Sequence, residues 1–459
     1  MSSSRRDFVK HIGRASALMA AGGLSHVSEA LAYGYSKRLG PNDKIRIATI
    51  GMGIQGFSDT RAALQVPGVE LVAVCDLYNG RLERAREVYG NTIFTTRNYR
   101  EILNRTDVDA VLIVTPDHWH DRITIDALLA GKAVYCEKPM VHKLEEGRAV
   151  IETQKRTGKV MQVGSQRISS PVFAEAKRVV EAGDIGQINL IEANNDRFNA
   201  IGAWQYSIPT DASTETLDWE AFLGDAPKRD FDATRFFRWR NYRDYGTGVA
   251  GDLFVHLITG IHYITGSLGP NRIYATGSLS MWKDGRDVPD VMLGILDYPQ
   301  AGKFAAFQAM LKVNFANAGN AQNYTRIVGT EGEINLMGNS LVVKRNKLAK
   351  APGFGGYDSY NTFSTAQQTE FAKQYNTRYS DEDRRAEPSK EFRFDKPANV
   401  DEQVLHFANF FDAIRNGTPN IEGAEFGFRA AAPVLACNKS YFEQKVILWD
   451  AQNMKTTNK

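Results

Sequence analysis

Cysteine is scarce in this sequence, with three among 459 residues: Cys75, Cys136 and Cys437. An odd number this small excludes the disulfide framework that holds small secreted domains together. Cys75 and Cys136 lie in apolar runs that predict buried strands, so we expect them to pack as small apolar side chains. The fold must therefore rest on a hydrophobic core, which 43% hydrophobic residues can supply in a chain of this length.

Two other features are missing, an excess of charge of one sign and a long apolar run. The 56 basic side chains nearly balance the 53 acidic ones. This balance argues against nucleic acid or an anionic membrane surface as a partner. No run of about 18 apolar residues follows the N-terminal segment, so we expect the mature protein to be soluble.

The N-terminal segment has the features of a targeting signal. The stretch Ser4–Lys10 reads S-R-R-D-F-V-K, a Gly- and Ala-rich apolar stretch runs from Ile12 to Leu24, and Ala30–Ala32 offers a cleavage site. A disordered basic tail is the alternative, but it would not explain this order. We predict a twin-arginine signal peptide over 1–32, a linker over 33–43, and export by the twin-arginine translocase to the periplasm.

The rest of the chain divides into two regions with different patterns. From Lys44 to Ser165, short apolar strands alternate with helices of about ten residues, which predicts an α/β domain with a doubly wound parallel sheet. From Gln166 to Lys459 several strand-like runs follow with little helix between them. This second pattern predicts an α+β domain with an open mixed or antiparallel sheet.

Two long stretches of the second region show no regular pattern. Residues Phe198–Tyr245 are rich in aromatic and arginine side chains, and Ala351–Phe394 are polar, charged and rich in tyrosine. Long loops inside a compact domain are usually functional or disordered. We predict a function for the first stretch, and a surface arm or an oligomer contact for the second.

A glycine-rich motif follows the first predicted strand and opens a helix. In G-M-G-I-Q-G, Gly51 can make the tight turn, Gly53 can admit a pyrophosphate, and Gly56 can let helix and strand pack closely. Asp76 ends the second predicted strand, where a carboxylate can bind ribose hydroxyls and repel a 2′-phosphate. The motif predicts a dinucleotide site, NAD by preference, although Arg81 and Arg84 nearby leave NADP open. The motif residues are Gly51, Met52, Gly53, Ile54, Gln55 and Gly56.

Polar residues also follow two other strands and occupy one predicted helix. Ligands of open parallel sheets bind beyond the carboxyl ends of the strands, which is where Thr115–His120 and Glu137–Pro139 lie. His118 and His120 form one H-x-H, which lacks further ligands, so we predict no metal site. Asp252 and His256 are four residues apart and share one helix face, where the histidine can accept a proton from an alcohol.

Taken together, these motifs resemble those of the Gfo/Idh/MocA superfamily of oxidoreductases. The markers are the G-x-G-x-x-G at Gly51, the T-P-x-x-x-H at Thr115, the E-K-P at Glu137 and the D-x-x-x-H at Asp252. The resemblance spans about Lys44 to Trp449. It implies a Rossmann domain followed by an open-sheet domain that often forms homo-oligomers.

The resemblance also implies roles for individual residues. Lys138 would orient and polarise a substrate hydroxyl, His256 would act as general acid and base, and Asp252 would orient His256 or bind a neighbouring hydroxyl. The residues implied around the nicotinamide half of the cofactor are Thr115, Pro116, His120 and Glu137.

Substrate contacts are predicted from side-chain chemistry alone. The run Arg235–Tyr242 combines flat aromatic rings with hydrogen-bond donors, which suits a sugar ring with one apolar face and many hydroxyls. An aromatic core plug with surface arginines is the alternative for this run. The residues singled out are Arg167, Arg238, Trp239 and Tyr242.

Three classes of function fit these features unequally. The leading one is oxidoreduction of a CH–OH group in a sugar, polyol or glycoside with NAD(P). The second is redox-neutral glycoside hydrolysis, in which a transient oxidation permits elimination and NAD is not consumed. The third, a non-catalytic sugar or cofactor sensor, would need neither Lys138 nor His256. Since little free NAD is expected outside the cytoplasm, export predicts a tightly held cofactor.

Overall fold

The computed structural model describes residues 44–457, apart from 303, 320 and 421. The predicted signal peptide and linker, residues 1–43, lie outside the described residues. In the part of the chain that is described, no helix combines the length and the apolar character needed to cross a membrane.

The N-terminal domain is built on a parallel sheet of six strands in the order β3-β2-β1-β4-β5-β6. The strands β1, β4 and β5 are almost wholly buried because helices cover both faces of the sheet. This arrangement confirms the predicted doubly wound α/β fold. The strands are β1 Ile45–Ile50, β2 Val69–Cys75, β3 Phe94–Thr96, β4 Ala110–Ile113, β5 Ala133–Cys136 and β6 Met161–Val163.

The helices of this domain follow the strands in alternation. Four of them have the length of about ten residues that the sequence pattern predicts, but α3 was not predicted. With only five residues, α3 is too short to show a helical period. The three-residue strand β3 was also too short to be predicted from the sequence. The helices are α1 Ile54–Ala63, α2 Asn79–Tyr89, α3 Tyr99–Leu103, α4 His120–Leu129 and α5 Gly147–Thr157.

The second domain contains a ten-stranded sheet in the order β14-β13-β12-β11-β7-β10-β9-β8-β15-β16. Its described pairs are antiparallel except that β7 runs parallel to β10, so the sheet is mixed, as predicted. The strands are β7 Ile188–Asp196, β8 Arg272–Ser278, β9 Val291–Tyr298, β10 Phe307–Asn314, β11 Asn323–Gly329, β12 Gly332–Met337, β13 Ser340–Arg345, β14 Lys390–Asp395, β15 Ile447–Asp450 and β16 Lys455–Thr457.

Helices cover one face of this large sheet and leave the other open. Burial alternates along β10, where Phe307 and Ala309 are buried while Met310 is 38% exposed. The same open face exposes Tyr274 of β8 and Ile295 of β9, which lie directly opposite each other in neighbouring strands. The helices of this domain are α6 Pro171–Glu181, α7 Trp219–Leu223, α8 Ala233–Phe237, α9 Val255–Thr265, α10 Thr365–Arg378, α11 Glu402–Asn416 and α12 Ala424–Glu443.

The stretch over 351–394 is not wholly irregular, because it contains α10 and most of β14. Ser364 and Gln367 form a capping box that starts α10, yet none of the helix side chains is buried. Its aromatic rings pack mainly on one another, as Phe371 does on Phe354 and Tyr375. Helix α10 is polar and has no amphipathic face, so the spacing of apolar residues in the sequence did not predict it.

Helix α11, the second to last along the chain, packs against the N-terminal domain. Phe407, Phe410 and Phe411 are fully buried in the same cluster as Tyr135 of β5. The rings of Tyr135 and Phe407 stack with their centroids 4.3 Å apart. The core of the N-terminal domain therefore includes residues from near the end of the chain. A single domain boundary near residue 165 assigns these residues to the second domain instead.

We predict that Phe407→Ala destabilises the whole protein. Loss of a fully buried phenylalanine typically costs about 3–5 kcal/mol, because the cavity is only partly refilled. Phe392→Ala is the matched control, since that ring is 48% exposed on β14, and it should cost less than about 1 kcal/mol. Urea unfolding of both variants measures the difference, and equal losses would contradict this account of the core.

Candidate active site

The glycine-rich loop has the shape needed to hold a pyrophosphate. Gly51 has φ +97°, and a Cβ there would stand 2.4 Å from the carbonyl oxygen of Val114. A Cβ on Gly56 would stand 2.0 Å from the carbonyl oxygen of Gly51, so helix α1 can approach β1 only with glycine there. Gly53 caps α1 without a side-chain hydrogen bond, which leaves the first backbone N–H groups of the helix for an anion.

Asp76 lies beside this loop at the end of β2. Its carboxylate accepts hydrogen bonds from the backbone N–H of Met52 at 2.7 Å and of Tyr78 at 2.9 Å. Each carboxylate oxygen can accept a further bond, so the group remains suited to ribose hydroxyls. Arg81 reaches Asp76 at 3.4 Å, whereas Arg84 pairs with Glu87 on the surface. Of the two arginines, only Arg81 lines the cavity described next.

A cavity of about 590 Å³ runs from this loop along the carboxyl ends of the strands. Its size, the open helix terminus and the Asp76 carboxylate beside it fit a dinucleotide. Met52 is buried under the loop and Gly56 packs on Gly51, so these two support the site from below. The predicted cofactor residues that line the cavity are Gly51, Gly53, Ile54, Gln55, Asp76, Thr115, Pro116, His120, Glu137 and Lys138.

Two strand-end loops meet at the far end of the cavity, where the nicotinamide half is expected. His120 joins them, because its ring nitrogens lie 2.7 Å from the carbonyl oxygen of Pro139 and 2.9 Å from that of Thr115. The backbone N–H of Glu137 donates to the carbonyl of Ile113 at the end of β4. His120 therefore fixes the loops that carry Thr115 and Lys138.

Lys138 forms a buried ion pair with Asp252 across the two domains. Its Nζ donates to Asp252 Oδ1 at 2.8 Å and to the carbonyl oxygen of Asp252 at 2.9 Å. Arg240 Nε lies 3.2 Å from the same carboxylate oxygen. Burial alone would raise the pKa of Asp252, but the charges of Lys138 and Arg240 outweigh it and hold this pKa well below its usual range. Asp252 is therefore ionised and keeps Lys138 in place.

Asp252 and His256 do not sit on one continuous α-helix. Residues Ala250–Phe254 form a π-helical turn, and α9 begins at Val255. The wider turn still brings Asp252 and His256 together, and such turns are frequent at functional sites. Burial, reinforced by the charges of Lys138 and Arg167, lowers the pKa of His256 well below its ordinary value. At neutral pH its imidazole is uncharged and able to accept a proton.

The aromatic stretch 198–245, which we call the covering segment, closes over the cavity. Leu217 forms a β-bridge with Tyr78, and the carbonyl oxygen of Phe222 lies 2.8 Å from His118 Nε2 and 3.0 Å from Trp119 Nε1. Burial lowers the pKa of His118 to about 3, so this ring is a neutral contact between the segments. Among the described residues, no group of three or more His, Cys, Asp or Glu side chains could hold a metal ion.

The covering segment also packs around the adenosine side of the cavity. The guanidinium carbon of Arg81 lies 5.2 Å from the ring centroid of Phe237 and 5.4 Å from that of Phe236. The ring of Tyr78 meets Phe237 edge to face at 5.3 Å. Phe222, Phe236, Phe237 and Gly224 line the cavity directly, so a bound dinucleotide would be enclosed from above by this segment.

The four predicted substrate residues have different surroundings. Trp239 lines the cavity, and Arg167 is close enough to His256 for its charge to lower the histidine pKa. Arg238 instead donates to the carbonyl of Tyr206 and the side chain of Gln205. Tyr242 is buried in the aromatic cluster of the covering segment, with the guanidinium of Arg235 over its ring.

Sequence reasoning missed three residues at this site. Arg240 and Tyr206 line the cavity, and Asp59 is fully buried, where burial and the charge of Glu137 raise its pKa. Arg240 stands in the Arg235–Tyr242 run, but nothing in its spacing distinguishes it from the arginines beside it. Asp59 follows the glycine motif by one helical turn, and an acidic residue on an otherwise buried helix face was an available signal.

The comparisons with known proteins agree with this geometry. A family model described as "Oxidoreductase family, NAD-binding Rossmann fold" matches residues 45–165, and the "GFO/IDH/MocA C-terminal domain" matches residues 221–335. Together they cover just over half of the chain. This chain belongs to the Gfo/Idh/MocA family. The resemblance drawn from the four motifs is confirmed, and the N-terminal domain is the NAD-binding Rossmann domain of that family.

Curated relatives match the Gfo/Idh/MocA chain over part of its length. The scyllo-inositol 2-dehydrogenase (NAD(+)) of Bacillus subtilis is 38% identical over 145 residues, 31% of this chain and 42% of that protein. An alpha-N-acetylgalactosaminidase of Shewanella oneidensis is 38% identical over 127 residues, 25% of this chain and 27% of that protein. The chain thus spans less than half the length of both relatives.

Solved structures share the fold over almost the whole described chain. An aldose-aldose oxidoreductase from Caulobacter crescentus, complexed with glycerol, has a TM-score of 0.61 at 18% identity, covering 88% of this chain and 99% of that one. At this identity the likeness shows the fold of the Gfo/Idh/MocA chain.

We predict that Asp76→Ser changes the cofactor preference. The substitution removes the charged acceptor for hydrogen bonds from the ribose hydroxyls, which should weaken NAD binding about tenfold to a hundredfold. It also removes repulsion of a 2′-phosphate, so the preference for NAD over NADP should narrow. Titration of both nucleotides measures the ratio. Arg84→Ser, whose side chain pairs with Glu87 away from the cavity, is the control, and an unchanged ratio in Asp76→Ser would refute the assignment.

Proposed function

We propose that this protein is an NAD(P)-dependent oxidoreductase that acts on a CH–OH group of a sugar, polyol or glycoside. The observation that carries the proposal is the Lys138–Asp252 ion pair, with Lys138 lining the dinucleotide cavity. His256 lies close enough to both for their charges to act on its pKa, which burial lowers. This arrangement combines a hydrogen-bond donor of fixed position with a neutral proton acceptor, which is what removal of a proton and a hydride from an alcohol requires.

Lys138 and Asp252 are assigned to substrate orientation, and His256 is assigned to proton transfer. Bound NAD supplies the hydride acceptor. The Lys138 ammonium, held by Asp252, donates to the substrate hydroxyl oxygen and stabilises the negative charge that grows on it. The neutral His256 imidazole takes the hydroxyl proton and returns it in the reverse direction. Asp252 holds Lys138 in place, and both side chains are largely buried, so water screens their interaction less than at the surface.

The substrate class is proposed from residues that line the cavity and from the relatives. Trp239 and Tyr206 offer aromatic surface, and Arg240 offers donors, in the cavity wall. A sugar or cyclic polyol presents an apolar face and several hydroxyls to such a site. The match to scyllo-inositol 2-dehydrogenase supports this class.

Redox-neutral glycoside hydrolysis is a second candidate, favoured by the match to an alpha-N-acetylgalactosaminidase. In that scheme oxidation of a sugar hydroxyl acidifies the neighbouring C–H, the glycosidic oxygen leaves by elimination, water adds, and the carbonyl is reduced again. NAD is regenerated in each cycle. The two functions are distinguished by the products, a carbonyl compound in one case and a free sugar in the other.

Export, oligomerisation and a retained cofactor belong to the same proposal. The twin-arginine pattern of residues 4–10 supports export of the folded protein to the periplasm. The open face of the ten-stranded sheet, with Tyr274 and Ile295 exposed, supports a homo-oligomer. The covering segment supports retention of the cofactor, because its contacts with Tyr78 and His118 hold it over the cavity.

We predict that Lys138→Met and His256→Asn lower turnover by about 10²- to 10⁴-fold, the usual contribution of general acid–base groups. Both variants should still bind the cofactor, since the pyrophosphate loop and Asp76 are untouched. Lys143→Met, five residues away and exposed, is the control and should keep the parental turnover. Steady-state kinetics on a substrate found by screening measures the turnover. Near-parental turnover in either variant would contradict the catalytic role proposed for the substituted residue.

A further expectation is that the purified protein contains one nicotinamide nucleotide per chain. Retention through purification corresponds to a dissociation constant near or below about 1 nM, or about 12 kcal/mol of binding free energy. The protein is purified without added nucleotide, dialysed, denatured and assayed for NAD(H) and NADP(H). A protein that is empty after this treatment, and active only with added NAD, would instead be an ordinary dehydrogenase.

A further inference from the structure

Arg240 reaches the end of the cavity that carries Lys138 with most of its hydrogen-bonding capacity unused. Its Nε donates to Asp252 Oδ1 at 3.2 Å, and its side chain is 25% exposed and lines the cavity. Its two terminal NH2 groups have no acceptor among the described residues. A guanidinium carries all its N–H donors in one plane, so those of the terminal groups remain free for a ligand.

Packing fixes the position of Arg240. The residue lies in a short 3-10 turn, Trp239–Asn241, and its guanidinium carbon stands 4.2 Å from the centroid of the Trp239 ring. Gly246 packs against this turn, because a Cβ there would stand 3.2 Å from the Cα of Arg240. The guanidinium is therefore held in place before a ligand arrives, which lowers the entropy cost of binding.

Two cations share one carboxylate at this end of the cavity. Lys138 Nζ and Arg240 Nε both donate to Asp252 Oδ1, at 2.8 and 3.2 Å. Neither cation forms an ion pair with any other acidic side chain in the described part of the chain. Since one carboxylate balances only one of the two charges, a positive charge remains beside the group that is proposed to orient the substrate.

The other carboxyl groups that line this end already accept hydrogen bonds elsewhere. Asp117 Oδ2 accepts from the backbone N–H of Thr247 at 2.9 Å and from its hydroxyl at 2.7 Å. Glu137 accepts from the backbone N–H of Lys138 at 3.1 Å. Neither carboxyl group forms an ion pair with Arg240. The terminal NH2 groups of Arg240 are therefore left for a group that enters the cavity.

Two further arginines add positive charge near this end. Burial lowers the pKa of His256, and the charges of Arg167 and Arg197 lower it further. Neither arginine forms an ion pair with a described acidic side chain. Arg197 donates to the carbonyl oxygen of Gly202 at 3.1 Å. The guanidinium carbon of Arg167 lies 5.9 Å from the ring centroid of Phe173. A neutral sugar would leave these cations without a counter-charge, whereas an anionic sugar would supply one.

We propose that Arg240 binds a carboxylate of the substrate, so that the carbohydrate oxidised at this site is a sugar acid or a glycoside of one. The planar guanidinium matches the two oxygens of a carboxylate, while Lys138 beside it serves the reacting hydroxyl. The proposal rests on the proposed function in one respect, that a carbohydrate is the substrate.

The experiment compares matched pairs that differ in one acid group. Methyl D-glucuronide is paired with methyl D-glucoside, methyl D-galacturonide with methyl D-galactoside, and D-gluconate with D-glucitol. The full-length protein is saturated with NADH, so that a hydroxyl binds without being oxidised, and isothermal titration calorimetry measures each dissociation constant. In at least one pair the acid should bind about tenfold to a hundredfold more tightly than its neutral partner, because it makes a charge-assisted hydrogen bond.

Variants of Arg240 assign the effect to this side chain. In Arg240→Gln the charge is lost, so the ratio of acid to neutral affinity should fall to unity. In Arg240→Lys the charge stays but the planar pair of donors is lost, so the ratio should be intermediate. A merely structural role would weaken both members of a pair alike and leave the ratio unchanged. The preference of the parent protein tests the proposal even if a variant does not fold.

Arg243→Gln is the matched control. Arg243 is exposed, packs over the ring of Phe442 and does not line the cavity, so this variant should keep the parental ratio. Equal or tighter binding of the neutral members, no binding of any acid, or an acid preference that survives in Arg240→Gln would each overturn the proposal. Tighter binding of a sulfate or phosphate ester of the same glycoside would overturn the carboxylate as the ligand class.

Replacement of NADH by NAD in the same experiment tests the proposed function separately. An acid that binds through Arg240 and is oxidised, with formation of NADH, supports both the inference and the proposed function. An acid that binds in the same way but yields no NADH would refute net oxidoreduction and leave the acid-binding role of Arg240 standing.

Discussion

The ion pair between Lys138 and Asp252 joins the two domains at the point where the chemistry is proposed to occur. Lys138 belongs to the loop after β5, and Asp252 belongs to the π-helical turn that precedes α9. The attraction between the two charges offsets the free-energy cost of removing them from water, and Arg240 adds a second cation beside Asp252. The position of His256 relative to the nicotinamide end of the cavity depends on this contact, since His256 follows Asp252 by one turn.

The covering segment closes over the cavity through a separate set of contacts. The covering segment approaches the Rossmann domain through hydrogen bonds to His118, Trp119 and the strand-like contact at Tyr78. These contacts place the covering segment beside a site that contains several buried charges, where electrostatic interactions are stronger than in water. The covering segment therefore supplies part of the wall around a bound dinucleotide.

The sequence predicted those parts of the site that depend on local pattern. The glycine loop, Asp76 and the E-K-P loop follow predicted strands, so the parallel sheet alone brings them together. The π-helical turn at Asp252 could not be predicted, because its width depends on packing around it rather than on residue type. The electrostatic effect of Glu137 on Asp59 was also hidden, since these residues are far apart in sequence and come near each other only after β1, α1 and β5 are assembled.

The central claim is that hydride passes between a carbohydrate carbon and a nicotinamide held in this cavity. The most direct test uses sugars and polyols that carry deuterium on the carbons bearing hydroxyl groups. After incubation with the protein and NAD, mass spectrometry of the recovered nucleotide locates the label. The account predicts deuterium at the reactive carbon of the nicotinamide ring for a cognate substrate, and its loss in His256→Asn. Substrate turnover without any label on the nucleotide would contradict the account.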